Sequence, residues 1–135
     1  MTICADRSLR ARGHPEACGF HLTPPFGDLM ELTRLPTTPD SVAGAADRFF
    51  AALGFHREWV GDAPGLVLGR IVAQLVNEAR FAVAEGVGSI EDVDAGLKLG
   101  MNHPRGPSEW DAEQAAATLD GLWNERREER YRPAP

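Results

Sequence analysis

The sequence has little cysteine, no long apolar run and no concentration of positive charge. Each absence removes a class of protein. No apolar stretch approaches the ~20 residues that cross a bilayer. Met1-Thr2-Ile3-Cys4-Ala5-Asp6-Arg7 lacks the long apolar core of a signal peptide. The cysteines, Cys4 and Cys18, form neither a disulfide framework nor a Cys-x-x-Cys pair. Both read as reduced, buried small hydrophobes. Lys and Arg number 14 against 20 Asp and Glu, for a net charge of −6 and a pI near 5.1. Neutralising nucleic-acid phosphates needs clustered cations, so the expected partners include neither nucleic acid nor membrane. Together these features predict a cytoplasmic protein.

Common chemistries are also missing. None of His14, His21, His56 and His103 pairs with another at three- or four-residue spacing, so no metal site is expected. His56 and His103 read as loop residues. No Gly-x-Ser-x-Gly nucleophile turn occurs, and neither cysteine sits in a recognisable nucleophile setting. Glu113, Glu125, Glu128 and Glu129 read as surface charges rather than paired catalytic carboxylates.

What remains is an ordinary single domain. The chain has 135 residues and 14.7 kDa, with 43% hydrophobic and 25% charged residues. A chain of this size buries about two-thirds of its unfolded surface and needs no staple. Residues 1–39 are broken by His14-Pro15, Pro24-Pro25, Gly27, Pro36 and Pro39. They leave room for short strands at Thr2–Ala5, Gly19–Leu22 and Leu29–Leu35, joined by turns. From residue 40 the pattern turns helical. Asp40 or Ser41 caps a helix to Leu53, with Val42, Ala45, Ala46, Phe49, Phe50 and Leu53 on one face and Gly54 as its stop. Phe55–Gly61 reads as an extended connector with Trp59 and Val60 inward. Asp62 suits a cap, with Pro64 in the first turn of a long helix to Glu85. Its broad apolar face, from Leu66 to Val83, predicts a central helix covered on more than one side. Ser89 caps a third helix that stops at Gly100, with Glu91 and Asp92 in its first turn. A loop over 102–108 precedes a last helix from Asp111 to Arg130, with Ala115, Leu119, Leu122 and Trp123 inward. The tail after it reads as irregular.

The wording of the middle segment says more than its periodicity. Asp62-Ala63-Pro64-Gly65 leads to Gly69-Arg70 and then Leu75-Val76-Asn77-Glu78-Ala79. Glu85-Gly86-Val87, Glu91-Asp92-Val93-Asp94, Lys98-Leu99-Gly100 and His103-Pro104-Arg105-Gly106-Pro107 follow in order. This series resembles the C-terminal domain of the 3-hydroxyacyl-CoA dehydrogenases. The resemblance covers residues 40–135, and Arg130-Tyr131-Arg132-Pro133 is similar to the end of that domain in longer bacterial members. It implies a mainly α fold, a helical bundle of the 3-hydroxyacyl-CoA dehydrogenase C-terminal type. Residues 1–39 would be a short irregular or β remnant of the end of a nucleotide-binding domain. The Pro-Gly, acidic and His-Pro blocks themselves read as architecture rather than chemistry.

Upstream, Gly19-Phe20-His21, Pro24-Pro25 and Met30-Glu31-Leu32 resemble the family's catalytic segment. The resemblance implies His21 as general base for the substrate hydroxyl and Glu31 as the carboxylate that orients it. An imidazole titrates near neutral pH, and a carboxylate on its second nitrogen fixes the tautomer. The alternative is a structural histidine in a strand remnant. Departures from the family pattern bear on the choice. Pro24-Pro25 replaces the usual Asn-Pro, and the spacing to the glutamate is shorter. Gly69 stands where active members carry an asparagine that helps hold the substrate. It reads as relaxed selection on catalysis or as a close backbone contact. No Gly-x-Gly-x-x-Gly follows a strand, and Gly86-x-Gly88 reads as a helix-to-helix turn. Thirty-nine residues leave little beyond one βαβ unit, which takes about 30 residues or more.

The resemblance therefore implies a domain that binds acyl-CoA and forms a homodimer. A separate nucleotide-binding subunit would bring NAD, and this chain alone would bind no cofactor and be inactive. The rival is a non-catalytic dimeric helical interaction module. A third reading, weighed less, is a helical regulatory domain of unknown ligand.

Overall fold

The computed structural model describes residues 1–24 and 27–135. Pro25, half of the Pro-Pro departure noted above, lies outside the described residues. Strands β1 (Thr2–Ile3), β2 (Cys18–His21) and β3 (Leu29–Arg34) form where the Pro- and Gly-broken segment leaves extended pieces. Helix α1 (Asp40–Ala52) follows, then strand β4 (His56–Trp59). The sheet order is β1-β2-β3-β4, with β1 parallel to β2, β2 antiparallel to β3, and β3 parallel to β4.

Strand alternation sorts the two faces of this sheet. Cys18, Phe20, Met30 and Leu32 face α1, where Ala43, Ala46 and Phe50 cover them. Phe50 sits with its ring centroid 5.4 Å from Phe20. Burying such a ring is worth about 1.5–3 kcal/mol. The residues between them, Gly19, His21, Glu31 and Thr33, point to the opposite face. A Cβ on Gly19 would come within 2.5 Å of Cys4 Sγ and 2.7 Å of Thr33, so this register needs glycine. Both cysteines are free and buried.

The helical half consists of α2 (Leu68–Ala84), α3 (Ile90–Ala95) and α4 (Ala112–Arg126). Val72, Ala73 and Val76 of α2 pack on Ala115, Leu119 and Leu122 of α4. Ser89 caps α3 in a reciprocal box with Asp92, and a π-helical turn, Gly96–Gly100, extends it to the expected stop. Asp111 accepts the Gln114 N–H at 2.9 Å and starts α4.

Several expectations are corrected. The four helices do not gather into one bundle, because α1 covers a sheet and only α2 and α4 pack as long helices. The connector after α1 is strand β4, held by Val60 N–H to Leu32 O at 2.8 Å. That places His56 in a strand. Trp59 is 39% exposed, with the Arg34 guanidinium over its ring, while Val60 packs on Cys4, Leu9 and Leu66. Pro39, not Asp40 or Ser41, is the N-cap of α1, and Asp40 instead accepts from Arg34 at 2.7 Å. The last helix ends at Arg126, and Arg127 turns left-handed at φ 54°. Tyr131, in the tail, is buried against α2 and α4. Gln74 and Asn77 of α2 donate to the carbonyls of Arg130 and Arg132, which fixes that tail.

The start of the chain is tied to its end. Asp62 does not cap α2. Its carboxylate accepts the N–H groups of Leu9 at 2.6 Å and Arg10 at 2.9 Å. Thr118 of α4 donates to Ala5 O at 2.9 Å, and Ser8 N–H donates to Glu125 at 2.9 Å. Gly65, at φ +69°, lies against Thr118 and donates to Cys4 O at 2.7 Å. The close approach expected at Gly65 is present.

Candidate functional site

His21 ends β2, and its register partner across the sheet is Glu31 of β3. Directly opposed residues on antiparallel strands share a face. The two candidate residues are therefore neighbours, and both look toward the first turn of α2. His21 is 2% exposed and Glu31 6%.

They are not bonded to each other. The Glu31 carboxylate accepts the N–H of Val67 and of Leu68, each at 3.1 Å. A helix start has unpaired N–H groups and a partial positive charge, so an internal carboxylate is a natural partner. Glu31 thus takes the capping role the spacing assigned to Asp62. Burial pushes its pKa up, against the downward pull of the two N–H donors.

His21 Nε2 lies 3.0 Å from Thr23 Oγ1, while Nδ1 is buried with no partner. Burial pushes the imidazole down to about 4, so it is neutral near pH 7. The ring packs on the α2 backbone at Gly69. A Cβ there would overlap Nε2 and approach Cδ2 to 2.9 Å. The close backbone contact anticipated at Gly69 is therefore real, and its partner is His21. A cavity of about 110 Å³ opens beside the pair, lined among others by Thr23, Asp28, Leu68 and Trp110. Thr23 and Trp110 had no sequence signal as site residues. Thr23 is one polar side chain near a strand end, and Trp110 arrives from a turn 89 residues away.

Among the described residues the parallel β3-α1-β4 unit has no glycine-rich turn at its strand-to-helix junction. It carries Leu35-Pro36-Thr37-Thr38-Pro39 where a phosphate turn needs glycines. Pro39 offers no N–H at the cap, and Asp40 adds negative charge in the first turn. The Gly86-x-Gly88 turn joins α2 to α3 and faces the Asp92 carboxylate. Among the described residues no three His, Cys, Asp or Glu side chains gather as metal ligands. No helix among the described residues is long and apolar enough to cross a membrane.

Comparison with known proteins fits this architecture. Residues 65–135 match the family model of the 3-hydroxyacyl-CoA dehydrogenase C-terminal domain. A 3-hydroxybutyryl-CoA dehydrogenase of Bradyrhizobium diazoefficiens is 33% identical over 99% of this chain. A 3-hydroxyadipyl-CoA dehydrogenase of Escherichia coli is 33% identical over 79% of it. The chain spans 48% of the first relative and 23% of the second. The crystal structure of a 3-hydroxybutyryl-CoA dehydrogenase from Escherichia coli superposes with a TM-score of 0.85 at 28% identity. It covers 98% of this chain and 29% of that one. The sheet-and-helix architecture, the motif series and these matches lead to one conclusion: the chain belongs to the 3-hydroxyacyl-CoA dehydrogenase C-terminal domain family.

Proposed function

We propose that this chain is the substrate-side domain of a 3-hydroxyacyl-CoA dehydrogenase. In this reading it binds the acyl-CoA and forms a homodimer in the cytoplasm. A separate nucleotide-binding subunit brings NAD for oxidation of the 3-hydroxyacyl-CoA to the 3-ketoacyl-CoA, and the chain alone does not turn over. The observation that carries the reading is the pairing of His21 with Glu31 beside a small cavity at the start of α2. A neutral imidazole there can accept a hydroxyl proton, and the adjacent carboxylate can balance the charge. The same geometry favours inactivity in isolation. Thr23 and Gly69 hold His21, and the α2 backbone holds Glu31. The dimer reading draws on α2, whose apolar stripe leaves Leu68, Ile71 and Val83 exposed.

Calorimetry with acetoacetyl-CoA and with NAD, separately, tests the division of labour. Heat with the acyl-CoA and none with NAD is expected. NADH-linked turnover should appear only with a nucleotide-binding partner and vanish in His21→Ala. Silence of His21→Ala would remove the catalytic role. The second reading, a non-catalytic dimeric interaction module, is favoured by the seating of His21 against Gly69. It predicts a dimer by light scattering at micromolar concentration with no heat from acetoacetyl-CoA, whereas a monomer would remove the dimer from both readings.

A further inference from the structure

Three consecutive residues at the start of α2 hold both candidate site residues. Val67 and Leu68 donate their N–H groups to Glu31, and Gly69 lies against the His21 ring. Glycine costs helix stability relative to alanine, so its presence in this first turn asks for a steric reason. His21 supplies one. A Cβ at position 69 would overlap Nε2 and stand 2.9 Å from Cδ2 and 3.2 Å from Cε1. The helix backbone cannot give way, because Gly69, Val72 and Ala73 are buried on its packed side. The ring is buried and bonded to Thr23 at 3.0 Å, so moving it away from a Cβ, toward the cavity it lines, costs that bond.

We propose that Gly69 is a positioning residue for His21. Its missing side chain seats the imidazole against the α2 backbone, bonded to Thr23 and apart from the Glu31 carboxylate. This assignment gives the proposed site its resting arrangement and rests on His21 being the base of that site. The titratable groups facing the pocket are Glu31 from β3 and Asp28 from the turn before it. The neighbours from α2 and the α4 approach, Leu68, Gly69 and Trp110, bring no titratable side chain.

A double-mutant cycle on the full chain tests the contact, with Gly69→Ala, His21→Ala and the double variant compared by thermal unfolding. Gly69→Ala should lower the midpoint by ~4 °C or more when His21 is present. It should be neutral or stabilising in the His21→Ala background, where the ring is gone. Gly44→Ala is the control, since its Cβ meets only the flexible tip of Arg48, at 3.2 Å. The second readout is the titration of His21 by NMR. Displacement of the ring in Gly69→Ala should bring its midpoint up toward the ordinary histidine value. Equal midpoint changes in both backgrounds would overturn the proposal. So would an unmoved His21 titration in a folded Gly69→Ala chain. Should Gly69→Ala not fold, a folded double variant supports the contact and an unfolded one removes it. These readouts need no ligand, so coupling without acetoacetyl-CoA binding would keep the Gly69 assignment and remove the proposed function.

Discussion

Glu31 offers a sharp test of what holds the sheet to the helical half. Its carboxylate is the partner of the Val67 and Leu68 N–H groups, and one oxygen, Oε2, lies 3.1 Å from both. Glu31→Ala removes that acceptor from a buried position. Loss of an N-terminal cap costs about 0.5–2 kcal/mol. An unsatisfied buried donor adds about 1–3 kcal/mol, reduced here because Val67 is half-open to water. The sum is roughly 2–3 kcal/mol. Glu31→Gln behaves differently. A single amide oxygen at the Oε2 position can accept both N–H groups through its two lone pairs. Burial pushes the carboxyl pKa up while the two N–H donors pull it down, so the substitution tests whether the acceptor or the charge matters. We expect Glu31→Gln to stay within about 1 kcal/mol of the wild type. Urea unfolding monitored by circular dichroism reads both, and an unchanged denaturant slope shows that the unfolded state is unaltered. If Glu31→Gln is as damaging as Glu31→Ala, the charge rather than the acceptor holds α2. If Glu31→Ala costs less than about 0.5 kcal/mol, the cap is an idle contact, and the reasoning fails.

Three further outcomes are expected. Because the folded His21 pKa is depressed from 6.5 to about 4, its contribution is complete above pH 6.5 and is lost as pH falls toward 4. The loss is on the order of 3 kcal/mol, and a His21→Gln chain unfolded in urea at pH 7 and pH 4.5 should show a flatter dependence. Glu31 acts with the opposite sign, favouring the fold below its unfolded pKa and less as pH rises through its raised folded value. Asp62→Ala should cost about 1–2 kcal/mol in urea unfolding and speed amide exchange at Leu9 and Arg10, whose donors it accepts. Gly65→Ala should cost more than about 1 kcal/mol by thermal unfolding, since it imposes a side chain at φ +69° and presses it on Thr118.

What could be read from the sequence was local. The face of α4, the Ser89 cap and the three N-terminal strands follow from spacing within a few residues. The face expected on α1 holds at Ala46 and Phe50 but leaves Ala45, Phe49 and Leu53 exposed and buries Ala43 instead. Strand β4 was legible only as an extended connector. It is an edge strand with exposed His56, Glu58 and Trp59, so no alternation marks it, and the β3-α1-β4 crossover alone fixes its pairing. The capping roles were exchanged for a similar reason. Asp62 has the right spacing before Pro64, but the carboxylate that reaches α2 comes from Glu31, 36 residues from Val67. Tyr131 reads as tail because nothing nearby in sequence shows that α2 will cover it. At the site, motif order brought His21 and Glu31 forward, and the register places them together. Which group each one bonds depends on the packing of α2, which no spacing encodes.

The tie between the two ends of the chain governs the order in which it can fold. The Thr118–Ala5 hydrogen bond closes a loop of 113 residues. Closing a flexible loop of that length costs about 4 kcal/mol of chain entropy before any contact repays it. Such a bond cannot belong to an early nucleus. The nearer β2–β3 hairpin and the β3-α1-β4 crossover are the elements short enough to form first. Weakening Thr118 should then leave the refolding rate almost untouched and appear as faster unfolding, so this clasp sets how long the native state lasts rather than how quickly it is reached.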